Sequence, residues 1–250
     1  MTDDVLSLQA AFACALADDQ DLFRRAAAAA QIPIEVVEAD ELASTGRLPN
    51  GGVDLVFVDG ALGDDTVAKI ISAARGASKA PFTVLLAERG AQTAFKTDAL
   101  ANKPRSLEEA TRLIDRSVRV RIPSRVLIVD DSATMRSIIR KILNATRFPL
   151  EISEVGRGGE ALELTRQTEF DLILLDYYMP GFSGLETMGE IRREAERTNF
   201  ILISSTQDDA VAKRARALGA AFLKKPFYLA DIENVLCGFY GFRALNPQRA

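Results

Sequence analysis

The sequence predicts two α/β domains in tandem, each a parallel sheet with helices on both faces. Three observations carry this. From Arg125 onward, short apolar runs alternate with stretches whose apolar residues recur at helical spacing, as repeated strand–helix units require. The runs are apolar throughout, the pattern of strands buried on both sides. The first half then repeats the marks of the second in the same order. Asp54-Leu55-Val56-Phe57-Val58-Asp59 matches Asp171-Leu172-Ile173-Leu174-Leu175-Asp176, and Asn102-Lys103-Pro104 matches Lys224-Lys225-Pro226. Ala13–Ala17 followed by Asp18-Asp19 matches Arg125–Val129 followed by Asp130-Asp131. The offsets are 117 (59 to 176), 122 (103 to 225) and 112 (18 to 130) residues. Order is kept while register drifts, as after duplication of a whole domain. The junction falls at Arg119–Ser124, which contains Pro123, so the domains are 1–122 and 123–250.

In the second half, Arg125–Val129 is the first strand, and Ser132 opens a helix to about Leu143 with Met135, Ile138, Ile139 and Ile142 on one side. Glu151–Val155 is the second strand, and Gly158-Gly159 opens a helix over Ala161–Gln167. Asp171–Leu175 follows as a strand, then a turn at Pro180-Gly181 and a helix over Leu185–Glu196. Phe200–Ser204 is the fourth strand, Asp208–Leu218 a helix closed by Gly219, Ala221–Lys224 the fifth strand, and Leu229–Phe239 the last helix. Glycine after a helix and proline in a turn are the expected terminators. Between Ala87 and Lys103 the chain is shorter than between Ser204 and Lys225, so the fourth helix of the first half is short or missing.

At 250 residues the chain is long enough for two domains with full cores. Its hydrophobic fraction of 48% and charged fraction of 26% are those of a globular protein. A formal net charge of −4 gives no sign of a nucleic-acid surface. The start Met1-Thr2-Asp3-Asp4 lacks the cationic region of a secretory leader, and no apolar run reaches membrane-spanning length. These features point to a cytoplasmic chain without a membrane contact. Cys14 and Cys237 read as free thiols among apolar neighbours. The absence of histidine removes Ser-His and Cys-His nucleophiles, His-ligated zinc and any phosphohistidine within this chain.

Chemistry is therefore left to carboxylates, hydroxyls and cations, and these sit at strand tips. Asp130-Asp131 ends one apolar run, Asp176 another, Ser204 a third, and Lys225 precedes Pro226 after a fourth. In an open parallel sheet the carboxyl ends of the strands face the ligand crevice. Unit charges about 4 Å apart repel by roughly 4 kcal/mol at a protein-like dielectric. Three acids with one lysine call for a divalent, oxygen-liking cation, and Mg²⁺ takes one or two carboxylates, waters and phosphate oxygens. A carboxylate can also attack phosphorus to give an aspartyl phosphate. The plainer readings are that Asp130-Asp131 caps the helix after it, that Asp176 starts a turn and that Ser204 is a loop hydroxyl with Ser205 its competitor. Alternation sends Lys224 and Lys225 to opposite sides, and the Lys-Pro pairing favours Lys225.

Residues 125–240 resemble a receiver domain of bacterial two-component response regulators, of the CheY type. The resemblance rests on Val126-Leu127-Ile128-Val129-Asp130-Asp131-Ser132, on Asp176-Tyr177-Tyr178-Met179-Pro180-Gly181-Phe182-Ser183-Gly184, on Ile203-Ser204-Ser205 and on Phe222-Leu223-Lys224-Lys225-Pro226-Phe227. It implies two flavodoxin-like (βα)5 doubly wound receiver domains in tandem, the first divergent. It further implies Asp176 as phosphoacceptor, and Asp130, Asp131, Asp176 and the backbone carbonyl of Tyr178 as Mg²⁺ ligands. Lys225 would pair with phosphoryl oxygens, aimed by a cis bond to Pro226, and Ser204 would meet the phosphoryl group. Phe222 stands where the family carries an aromatic switch residue. Tyr178 and Thr206 would flank the acyl phosphate.

Asp18, Asp19, Asp59 and Lys103 keep the ionic parts of a second site, while Ala87 stands 28 residues after Asp59 as Ser204 does after Asp176. The first half is expected to be a degenerate receiver serving as an interaction platform. Expected partners are a histidine kinase or histidine phosphotransfer protein and an unnamed downstream protein, with homodimerisation left open. The expectation is a non-enzymatic regulator, beyond its own phosphoryl transfer and hydrolysis, without a DNA-binding output. The alternatives are a receiver fragment of a longer regulator, with an output such as a diguanylate cyclase, and an unphosphorylated scaffold. An aspartyl-nucleophile phosphatase of the haloacid-dehalogenase type would carry an acid two residues after the nucleophile, where this chain has Tyr178.

Overall fold

The computed structural model describes residues 8–37, 42, 47–48, 52–91, 93–205 and 209–243. Its described residues fall into two compact units, one of residues up to 122 together with 240–243, the other of residues 123–239.

In the first unit β1 (Leu8–Ala13), β2 (Ile34–Val36), β3 (Leu55–Asp59), β4 (Phe82–Ala87) and β5 (Ala99–Asn102) form one sheet in the order β2-β1-β3-β4-β5. Each pairing is parallel. Its helices include α1 (Ala17–Ala28), α2 (Asp64–Gly76) and α3 (Leu107–Arg119). One face of the sheet buries Ala11, Ala13, Val56, Val58 and Leu85 with Val67, Ile70 and Ile71 of α2. On another, Phe12 stacks on Phe23 of α1 at 4.8 Å and on Phe57 at 4.9 Å. Each such fully buried side chain contributes about 1.5–3 kcal/mol. Between β4 and β5 no helix occurs among the described residues, as the short spacing predicts.

The second unit has β6 (Ser124–Val129), β7 (Leu150–Val155), β8 (Leu172–Asp176), β9 (Asn199–Ser204) and β10 (Ala221–Lys224) in the order β7-β6-β8-β9-β10. These pairings are parallel too. Helices α4 (Ala133–Asn144), α5 (Gly158–Gln167), α6 (Gly184–Glu194) and α7 (Asp209–Ala217) connect them, and α8 (Leu229–Phe239) follows β10. Their bounds lie within three residues of the sequence reading, the largest shift at the start of α5, as expected of element ends. Of the apolar residues read onto α4, Ile139 is buried but Ile138 is 43% exposed. In both units the order reverses beside the first strand, at β1/β3 and at β6/β8, which places a crevice at the carboxyl ends of those strands.

Both units use one device to set strand register. Asp54 accepts from the Gln9 amide at 3.0 Å, and Asp171 accepts from the Arg125 amide at 2.9 Å. The acid that opens the third strand thus ties down the first. The lysine–proline pairs differ: Lys225–Pro226 is cis, and it is the one cis bond among the described residues.

The end of the chain departs from the division at 123–250. Residues 240–243 belong by contact to the first unit. Tyr240 and Phe242 are buried there, Phe242 lies 5.9 Å from Phe82, and Arg243 forms an antiparallel bridge to Leu100 of β5. Burying two aromatic rings and pairing an open sheet edge favours this placement. No helix of the described residues is long and apolar enough to cross a membrane.

Candidate functional site

The second unit gathers its acids at the β6/β8 switch point. Val129 pairs with Leu175, so the next residues, Asp130 and Asp176, leave adjacent strand ends side by side. Ser132 caps α4 through a hydrogen bond accepted from the Met135 amide, and its own amide donates to Asp130 Oδ1 at 2.9 Å. The helix cap is therefore Ser132, which leaves Asp130 and Asp131 for other work. Ligating oxygens of Asp130, Asp131 and Asp176 lie within 4.8 Å of one another. Asp130 and Asp176 are buried and Asp131 is exposed.

Lys225 closes the cluster. Its Nζ donates to Asp176 Oδ1 at 2.7 Å and to Asp130 Oδ2 at 3.1 Å. The preceding Lys224 is exposed, as alternation along β10 requires. Burial would lower the Lys225 pKa, but its hydrogen bonds to Asp176 and Asp130 outweigh this and raise it. Burial pushes the Asp176 carboxyl up. The Lys225 hydrogen bond opposes that, Asp130 and Asp131 add to it, and the carboxyl ends above its ordinary value. A group of acids this crowded favours a bound cation. The donor set, three carboxylates with no nitrogen or sulfur, fits a hard ion such as Mg²⁺.

Ser204 ends β9, fully buried, one place beyond the Asp176–Ile203 pair, and its carbonyl accepts from the Lys225 amide at 2.8 Å. Phe222 pairs with Leu202 in the ladder and is half-buried against the core. Tyr178 is 59% exposed, with its ring edge-on to Tyr177 at 4.6 Å. Thr206 lies outside the described residues. Two features escaped the sequence reading: Arg136, one turn into α4, donates to the Asp130 carbonyl at 2.8 Å, and Gly184 packs so closely on the Asp176 carbonyl that any Cβ would collide with it.

Residues 126–236 match the family model of the response regulator receiver domain. The second unit is a receiver domain. Over 112 residues it is 35% identical to the transcriptional regulatory protein PdtaR of Mycobacterium tuberculosis, covering 44% of this chain and 54% of PdtaR. It is 35% identical over 82 residues to the nitrate/nitrite response regulator protein NarP of Escherichia coli, covering 33% and 38%. The chain spans about half the length, or less, of these curated relatives. Among solved structures, a two-component system response regulator/GGDEF domain protein aligns over 93% of this chain and 98% of its own, with a TM-score of 0.53 and 21% identity. That likeness speaks for the fold alone.

The first unit has the receiver topology but a different site. Ala13 pairs with Val58, so Cys14 stands to Asp59 as Asp130 does to Asp176, and Ala15 takes the place of Asp131. This corrects the sequence alignment of Asp18-Asp19 with Asp130-Asp131. Those two residues lie within the first turn of α1, Asp18 exposed and Asp19 half-buried. The alanine-rich run prolongs the apolar pattern past the strand end, and acids in the first turn suit the helix dipole. The other equivalences hold: Ala87 and Ser204 occupy matching rungs, and Lys103 bonds to the Ala87 carbonyl as Lys225 does to that of Ser204.

Here Lys103 Nζ lies 2.8 Å from Asp59 Oδ2 and 2.7 Å from Asp19 Oδ2. The Asp19 contact is an ion pair off the hydrogen-bonding direction, since that oxygen has no directed bond. Asp59 also accepts from the Ala15 amide at 3.2 Å and from the Ala61 amide at 3.0 Å, the latter capping a short 3₁₀ turn at Gly60–Leu62. Burial, then Asp59 and Asp19, push the Cys14 thiol up to about 12. Asp18, Asp19 and Asp59 do not close into a metal-sized cluster; among the described residues Asp130, Asp131 and Asp176 do.

Proposed function

We propose that the chain is a two-component response regulator whose second unit takes a phosphoryl group on Asp176 from a histidine kinase or histidine phosphotransfer protein. One observation carries this reading: the buried Asp176 carboxylate sits against Lys225 within a triad of acids at the sheet's switch point. A carboxylate oxygen of Asp176 attacks phosphorus, the bond from phosphorus to the donor's imidazole nitrogen breaks, and the electron pair stays on that nitrogen. Asp130, Asp131, Asp176 and the Tyr178 carbonyl would hold Mg²⁺, which neutralises charge on the phosphoryl oxygens. Lys225 exchanges its hold on Asp176 for a phosphoryl oxygen, and the Ser204 hydroxyl donates to another. Phe222 then follows Ser204 into a second packing, so that the signal leaves by protein contact.

The first unit serves as a receiver-like platform that does not turn over. The description of a solved protein that shares the fold over 93% of this chain, a response regulator/GGDEF domain protein, favours a second reading, in which a further output domain completes the protein.

Intact mass after treatment with acetyl phosphate and Mg²⁺ tests the proposal. One phosphoryl increment is expected on the wild-type chain and none on Asp176→Asn. An increment that survives in Asp176→Asn, or turnover of an external phosphomonoester, would overturn it.

A further inference from the structure

The first unit carries a second feature that its receiver-like site does not use. A cavity of about 530 Å³ lies between α3, β5 and residues 241–243, all within that unit. Seven cationic residues line it against two acids, Glu109 and Asp115. Several are already neutralised: Lys103 by Asp59 and Asp19, Arg105 by Glu88, Arg112 by Glu108 and Arg89 by Glu109. Among the described residues no carboxylate pairs with Arg116, Arg119 or Arg243. Arg112, Arg116 and Arg119 recur at i, i+4 and i+7 on α3, one face of the helix. Like charges at that spacing oppose the helix.

A helix dipole welcomes cations in the last turn, which accounts for Arg116 and Arg119 on α3. It accounts for neither Arg243 nor the way the wall is built. Arg116 Nη1 donates to the Gly241 carbonyl at 2.6 Å, and its guanidinium lies 5.9 Å from the Phe242 ring. Gly241, at φ +77°, lets Arg116 lie where a Cβ would meet its Cδ at 2.8 Å. Arg243 donates through Nη2 to the Ala91 carbonyl at 2.6 Å, but its Nη1 is buried with no acceptor. A buried donor without a partner is costly and rare. Burial and the charge of Arg112 hold the Arg116 pKa below its ordinary value, as expected where cations lack a counter-charge.

The geometry points to an anion site, separate from Asp176, that takes a phosphorylated small molecule of about mononucleotide size on Arg116, Arg119 and Arg243. Guanidinium forks match phosphate oxygens in pairs, and the volume suits a small ligand rather than a bare ion.

Titration calorimetry on the full chain in EDTA, with inorganic pyrophosphate and ADP as probes, tests it. One equivalent should bind with Kd below about 1 mM. Arg119→Gln, which disturbs no described contact, and Arg116→Gln should each weaken binding about tenfold or more. Asp176→Asn should leave it unchanged. Absence of heat with both probes, wild-type affinity in both arginine variants, or loss in Asp176→Asn would each overturn the proposal. So would binding of an acidic peptide with pyrophosphate and ADP inert, because the face would then be a protein-docking surface.

Discussion

The two units place a lysine against an aspartate at the matching rung of equivalent sheets, yet they compensate its charge differently. In the second, Lys225 shares Asp176 and Asp130 with a third acid that remains exposed. In the first, Cys14 and Ala15 replace the two strand-end acids, and Asp19 reaches back from α1 to complete a closed Asp59–Lys103–Asp19 group. The second site sets three carboxylates against one lysine and the first sets two, of which Asp59 is also held by the Ala15 and Ala61 amides. The first therefore leaves less excess negative charge for a cation to relieve.

The sharpest break between them is covalent. Acyl phosphate should form on the wild-type chain and fall to background in Asp176→Asn, while Asp59→Asn leaves it intact; intact mass reads both. The next effect is on stability. Lys103→Met strands the buried Asp59, whose side chain is 2% exposed, and should cost about 3–5 kcal/mol in urea unfolding. Mg²⁺ should not restore that loss, whereas it should restore much of the loss in Lys225→Met. Adding carboxylates to the first site by Cys14→Asp with Ala15→Asp should raise Mg²⁺ stoichiometry from one to two per chain, measured by calorimetry. If it stays at one, the strand-end places do not explain the difference.

A smaller effect follows from pH. The Asp176 pKa is raised in the folded state, so the native unit binds a proton more tightly than the unfolded chain. Metal-free stability should therefore fall as pH climbs from about 4 through that raised value, and Mg²⁺ should flatten the slope. The Lys225 pKa is also raised, so its contribution is complete below 10.5 and is lost at more alkaline pH. The smallest effect is at Cys14. With its thiol near 12 rather than 9.0, its thiolate fraction at pH 8 is about a thousandfold reduced. Alkylation of the native chain should be correspondingly slow and should quicken on unfolding.

Much of this was legible before any coordinates. The fully apolar runs give the strands, and Asp176, Ser204 and Lys225 follow from their place at strand tips. The repeat of Asp54–Asp59 and Asp171–Asp176 carries even the amide-binding role of its first acid. The sequence repeat places the first site a full turn out of register, because Ala13-Cys14-Ala15-Leu16-Ala17 stays apolar after β1 has ended. Counting six residues from each strand start, Leu8–Ala13 against Ser124–Val129, would have found Cys14 and Ala15. Nothing in the composition of the aromatic tail at 239–242 says which sheet it joins.

By itself the chain determined that two parallel α/β units follow one another and that the second collects an acid triad with a lysine. Periodic burial writes strands and their tips directly into residue type. Only the tertiary structure decided that Asp19 serves from a helix, that Cys14 and Ala15 hold the empty rungs, and that residues 240–243 return to the first sheet. Apolarity marks what is buried but not where a strand stops or which neighbour buries it, and those follow from hydrogen-bond register and packing across distant segments.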